Sequence, residues 1–174
     1  MATKISVIIP TYAPKDYLWE CLGSLENQTL SKDEFEVILV LNGEREPYES
    51  LIQKKLPEYS FNSTLLYSTP NGVSRARNLG MEKAQGCHIC FIDDDDWVSD
   101  NYLEDLLSKA CDNGIVEANV KDVDEVTREE SEQHFLSRAY KNYQPEKESS
   151  LFVNRSFFSS ACCKLLPKNC INGQ

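Results

Sequence analysis

Cys87-His88-Ile89-Cys90-Phe91-Ile92-Asp93-Asp94-Asp95-Asp96 sets a short apolar run directly against four carboxylates. The apolar part has the length of a buried strand, and on a strand residues three apart face opposite sides. Cys87 and Cys90 therefore cannot grip one zinc ion without a turn, and no second such pair stands at zinc-ribbon spacing. Four adjacent carboxylates repel one another, and burying them unpaired is costly. Something positive or wet must sit at the end of this strand. In extended backbone Asp93 and Asp95 point one way and Asp94 and Asp96 the other. A pair of carboxylates on one side suits a hard divalent cation, Mg2+ or Mn2+, with open positions left for diphosphate oxygens. A solvated acidic turn is the plainer alternative. The buried strand before the run favours a functional site. Trp97, which follows, reads as core packing.

Outward from this point the chain alternates between two periods. Residues 4–9 read as a buried strand and residues 15–28 as a helix, with Leu18, Cys21, Leu22 and Leu25 on one face. Residues 35–41 are apolar at nearly every position, and Pro47 suits the first turn of a helix reaching about residue 56. A third strand over 63–68 leads through Pro70-Asn71-Gly72 into a helix over 73–85. The strand over 87–92 precedes a helix carrying Leu103, Leu106, Leu107 and Ala110, with Asn101 and Glu104 placed as a capping box. Residues 115–120 suggest a fifth strand. The expectation is an α/β fold, a mostly parallel Rossmann-like sheet with helices on both faces. Such sheets bind ligands at the carboxyl ends of their strands. That edge collects residues 10–13, 41–43, 69–72 and 93–96.

The chain has 174 residues, enough for a single domain with a hydrophobic core. A net charge of −10 argues against a nucleic-acid partner, which needs clustered Lys and Arg. Neither a signal peptide nor an integral membrane segment is read, so the expected location is cytoplasmic, or peripheral at the inner face of the membrane. Seven cysteines, an odd and scattered set, do not suggest a disulfide framework. Residues 117–132 hold seven acidic and two basic residues, and residues 141–150 are polar; both read as solvated, mobile loop.

Four stretches together resemble the inverting glycosyltransferases of family 2, which share the GT-A fold. Ile5-Ser6-Val7-Ile8-Ile9-Pro10-Thr11-Tyr12 is similar to the family's opening strand, and Cys21-Leu22-Gly23-Ser24-Leu25-Glu26-Asn27-Gln28-Thr29 to its first helix and the turn after it. Gly72-Val73-Ser74-Arg75-Ala76-Arg77-Asn78-Leu79-Gly80 resembles the segment beside the nucleotide. Phe91-Ile92-Asp93-Asp94-Asp95-Asp96-Trp97 resembles the DxD signature. The match runs from Ile5 to about Leu107 and more weakly through the tail. It implies a nucleotide-diphosphate sugar donor and a saccharide or glycolipid acceptor. It implies that Pro10, Thr11 and Tyr12 line the nucleoside pocket and that Arg77 lies near the nucleotide. Asp93 would contact the ribose or its surroundings, with Asp94 in the same donor-binding set. Asp95 would ligate the Mn2+ or Mg2+ that bridges the diphosphate. Residues 1–115 are then the nucleotide-sugar-binding part and 116–174 the start of an incomplete acceptor-side part, together one domain.

Two departures stand out. The family's second strand usually ends in Asp-Asp-Gly, whereas here it is Leu41-Asn42-Gly43. Asn42 can donate as well as accept, so it can still read a base edge, but the nucleotide is left open. The family's general base lies in a Glu-Asp pair well beyond the DxD, after a segment like residues 159–167. No such pair follows here, and Glu104-Asp105 sits too early. The expectation is a truncated product, or a homologue without its own base. Alternatives are a nucleotide-sugar-binding module without transfer activity and a metal-dependent nucleotidyltransferase. The second usually opens with a Gly-rich basic loop, and residues 10–15 hold no glycine. A flavodoxin-like domain with an acidic metal site leaves residues 72–80 unexplained.

Overall fold

The computed structural model describes residues 2–112, 114–124, 126–142 and 160–171. In chain order these form β1 (Ile5–Thr11), α1 (Asp16–Glu26), β2 (Phe35–Leu41), α2 (Tyr48–Lys55), β3 (Asn62–Tyr67), α3 (Val73–Lys83), β4 (His88–Phe91), α4 (Tyr102–Ser108), β5 (Val116–Glu117), β6 (Asp122–Val123), β7 (Glu130–Ser131), α5 (Phe135–Asn142), β8 (Lys164–Pro167) and α6 (Lys168–Ile171). One six-stranded sheet has the order β3-β2-β1-β4-β8-β5. The first four of these strands are parallel, and β8 is antiparallel to both of its neighbours.

The alternation of side chains across a strand makes two cores from one sheet. Ile5, Val7 and Ile9 of β1 join Phe35, Val37 and Leu39 of β2 beneath α1, α2 and α4. Ile8, Ile38, Val40, Ile89 and Phe91 face the other way and pack with Ala76 of α3. Every residue of β1 and β2 is buried. This is the mostly parallel sheet, helices on both faces, that the apolar runs predict. At the amino-terminal edge, Ser6 Oγ donates to Glu36 Oε1 at 2.6 Å, and the same oxygen accepts the Gln85 N–H at 2.7 Å. The Gly86 N–H donates to Ser6 Oγ at 2.9 Å. A buried carboxylate thus ties β1, β2 and the loop before β4 together.

Three local expectations change. Only Val116–Glu117 of the expected fifth strand is a strand, because its partner is β8, from far along the chain. Lys164 of β8 is buried there, 3.1 Å from the Glu117 carboxylate and 2.6 Å from the Ser160 carbonyl. The capping box is not made either. Asn101 Nδ2 donates to Asp105, Glu104 accepts from Thr29 Oγ1 at 2.6 Å, and the Leu103 N–H at the head of α4 donates to Gln28 Oε1 at 2.9 Å. A distant acceptor has displaced the local one. Residues 117–132, expected to be loose, include the antiparallel pair β6 and β7. Its turn is built on Asp124, held below the usual carboxylate range by the Thr127 and Val126 N–H groups. Residues 143–150 of the other expected loop lie outside the described residues.

Candidate functional site

The central strands β1 and β4 end side by side, because Ile8 pairs with Phe91 in parallel register. Thr11 and the aspartates therefore meet at the carboxyl edge. The chain turns there rather than staying extended: the Asp96 N–H donates to the Asp93 carbonyl at 3.1 Å. The two-and-two alternation expected of the four carboxylates does not hold, since a turn has no such period.

Each aspartate meets a different environment. Asp93 is ion-paired with Arg77 Nη2 at 2.7 Å, with the guanidinium over the Phe91 ring at 5.8 Å. Arg77 also donates to Cys162 Sγ at 3.7 Å, and its buried Nε has no hydrogen-bond partner among the described residues. Asp94 accepts from Thr11 Oγ1 at 2.5 Å. Partial burial raises the Asp94 pKa and Asp95 adds to this, against the Thr11 hydrogen bond. Asp95 and Asp96 lie at the surface. The atoms around the Asp96 carboxyl still exclude enough water to push it up to about 6, helped by repulsion from Asp95 and Asp93 and opposed by His134. Tyr17 is raised as well, by burial first and then by Asp94 and Asp95. The edge therefore carries negative charge that Arg77 balances only in part.

The second wall comes from β1 and β2. Pro10 and Thr11 are buried at the end of β1, whereas Tyr12 is 59% exposed. A Cβ on Gly43 would stand 2.8 Å from the Tyr12 ring, so the tyrosine lies flat on this glycine. Asn42 is only 6% exposed. Its Nδ2 donates to the Thr11 carbonyl at 2.9 Å, and its Oδ1 accepts the Gly72 N–H at 3.4 Å. The amide that the sequence offers as a base reader is turned onto main chain. It clasps the ends of β1 and β2 to the start of α3. Pro10, Thr11, Tyr12, Asn42, Arg77, Asp93, Asp94 and Asp95 all gather at this one edge.

Cys162 and His134 reach the same edge and were not foreseen as site residues. Both come from segments beyond α4, and neither carries a local pattern; the bridge of Cys162 to Phe91, just before β8 pairs with β4, brings Cys162 to Arg77. Trp97, expected in the core, is 44% exposed. No group of three His, Cys, Asp or Glu able to hold a metal occurs among the described residues. A cation at Asp95 would thus have few protein ligands, and Mg2+ and Mn2+ commonly complete such a set with water and phosphate oxygens. The exposed Asp95 carboxylate accepts no hydrogen bond from a described residue, and the excess negative charge beside it fits that demand.

A family model described as Glycosyl transferase family 2 matches residues 6–168. The glycosyltransferase GlyA of Streptococcus pneumoniae is 34% identical over 106 residues, which cover 61% of this chain and 15% of that protein. The chain thus spans under a fifth of that relative's length. The crystal structure of S. aureus TarS 1-349 in complex with UDP-GlcNAc superposes with a TM-score of 0.55 at 30% identity, over 61% of this chain and 30% of that one. The mannosyltransferase PcManGT from Pyrobaculum calidifontis, in complex with GDP-Man and Mn2+, superposes with a TM-score of 0.62 at 23% identity, over 70% of this chain and 36% of that one, which speaks to the fold. The sheet described above is that of GT-A transferases.

Proposed function

This chain belongs to glycosyl transferase family 2, and on that premise we propose that it forms the donor-binding part of an inverting glycosyltransferase. Sugar would pass from a nucleotide-diphosphate donor to a hydroxyl of a saccharide or glycolipid acceptor, in polysaccharide or glycolipid synthesis. The observation that carries this reading is the division of labour among the aspartates: Arg77 and Thr11 fix Asp93 and Asp94, while Asp95 is exposed and, among the described residues, accepts no hydrogen bond. UDP is the favoured nucleotide, since the UDP-GlcNAc complex of TarS shares 30% identity with this chain.

Tyr12, with Pro10 and Thr11 behind it, forms the nucleoside wall, and Asn42 holds that wall in place through main chain. Asp93 and Asp94 meet the ribose side, and Arg77, whose Nε has no hydrogen-bond partner among the described residues, faces the nucleotide. Asp95 holds Mn2+ or Mg2+, which when bound neutralises the diphosphate leaving group as a Lewis acid. Residues 1–115 carry the donor and residues 116–174 begin the acceptor side. The general base is not among the assigned residues. No helix among the described residues is long and apolar enough to cross a membrane; we place the reaction at the cytoplasmic side. A binding module without transfer is the second reading, favoured because Glu104 and Asp105 are spent on Thr29 and Asn101.

Calorimetric titration with UDP and GDP, with and without Mn2+, tests the donor assignment. UDP should bind only with the metal, and Asp95→Ala should weaken it about 100-fold, or ~2.7 kcal/mol. Equal affinity in wild type and Asp95→Ala removes Asp95 from the site. Slow release of UDP from UDP-GlcNAc in the same sample favours transfer over binding alone.

A further inference from the structure

Trp97 follows the aspartate turn directly, yet it joins neither core cluster and is 44% exposed. Its indole lines a groove of about 580 Å3 between α1 and residues 97–100. On the α1 side stands Gly23, where an added Cβ would meet nothing within 4 Å. Asn27 and Asp100, both exposed, line it too. Arg128, from the turn between β6 and β7, completes it by pairing with both carboxylate oxygens of Glu20 at 2.9 and 3.0 Å. The acidic excursion after α4 is thereby fastened across α1, which shapes the groove.

The lining selects a chemical class. Arg128 is already neutralised by Glu20, and Asp100 adds a further negative charge, so a phosphate-bearing ligand is disfavoured. A purely apolar ligand would leave the carboxylates and the Asn27 amide without partners as it displaced their water. A neutral polyhydroxylated ring suits both demands. Its C–H face covers the indole, while its hydroxyls donate to carboxylates and accept from the Asn27 amide, the Arg128 guanidinium or the Trp97 N–H. The groove is open to solvent rather than enclosed, which suits one unit of a longer chain better than an engulfed small molecule.

We propose that this groove is a saccharide subsite, separate from the donor edge, that seats a neutral pyranose unit of a glycan chain against Trp97. The inference takes its substrate class from the reading of the chain as a sugar transferase, and it places the glycan beside α1.

The test uses the full chain labelled with 15N at tryptophan, titrated with cellotetraose and with N-acetylchitotetraose. The chain has two tryptophans, and Trp19 lies under the Lys55 ammonium at 4.4 Å, away from the groove. At least one sugar should shift the Trp97 indole signal saturably and leave Trp19 in place. Gly23→Leu, which suits a helix better than glycine and projects into open space, should weaken that binding at least about ten-fold. The response to UDP and Mn2+ should be unchanged in that variant. Failure of both sugars to move Trp97, or wild-type affinity in Gly23→Leu, overturns the subsite. The UDP response in the same sample reports on the donor site separately: sugar silence with intact UDP binding refutes the groove alone, and UDP silence refutes the donor reading whatever the sugars do.

Discussion

Asn42→Asp lowers the melting temperature by about 10 °C at pH 7, at roughly 2–4 °C per kcal/mol for a chain of this size. The change looks minor, since the family's usual residue at this place is aspartate, and the structure shows why it is not. The Asn42 amide must donate to the Thr11 carbonyl at 2.9 Å, and it is 6% exposed. An ionised carboxylate has no proton to give and would set an anionic oxygen against a carbonyl oxygen, at a cost of about 3 kcal/mol. The buried acid's pKa would rise above its unfolded value of about 3.9. Below that value the protonated acid can still donate, so the penalty is absent. The loss of stability grows as pH rises towards the raised folded pKa and is constant above it. Thermal melts at pH 4 and pH 7 check both the size and the sign, and a variant equally stable relative to wild type at both would show that the amide is not a donor here.

Gly86→Ala is expected to be at least as damaging. An added Cβ would stand 2.6 Å from the Ser6 nitrogen and 2.7 Å from the Ile5 carbonyl carbon, both main-chain atoms of β1. That strand has parallel neighbours on both sides and cannot retreat. Any shift of Gly86 would also loosen the Ser6 and Glu36 hydrogen bonds, leaving buried polar groups without partners. A cost of about 3 kcal/mol or more should lower the urea midpoint by about 1 M or more. An unchanged midpoint would mean that the loop before β4 does not hold this close approach in solution.

The parts of the fold that show in the sequence are those decided by local pattern. β1, β2 and β4 are runs of apolar residues bounded by turn residues, and α1 repeats Leu and Cys at helical spacing. These follow from burial on one or both faces and need no knowledge of distant chain. The fifth strand shows in the sequence but reads too long, and β8 does not show at all, because β8 is short and is placed by pairing with β4 and β5, both distant in sequence. The candidate site divides in the same way. Asp93 to Asp96 announce themselves by charge, and the order of the strands carries Thr11, Asn42 and Arg77 to them. The roles within the set depend on contacts that spacing does not encode. Arg77 selects Asp93, Thr11 selects Asp94, and the Asn42 amide turns onto main chain because the Thr11 carbonyl and the Gly72 N–H lie on either side of it. Trp97 was misplaced because its neighbours in sequence are a turn, which gives no periodicity from which to infer burial.

The most direct test of the donor edge is a 15N–1H correlation spectrum of the chain with UDP and a trace of Mn2+, whose unpaired electrons broaden nearby amide signals. Broadening should depend on UDP, centre on Asp93 to Asp96 with Thr11 and Tyr12, and vanish in Asp95→Ala. Broadening centred on the acidic hairpin of β6 and β7, or none anywhere in the folded protein, would contradict a nucleotide-diphosphate site at the carboxyl ends of β1 and β4.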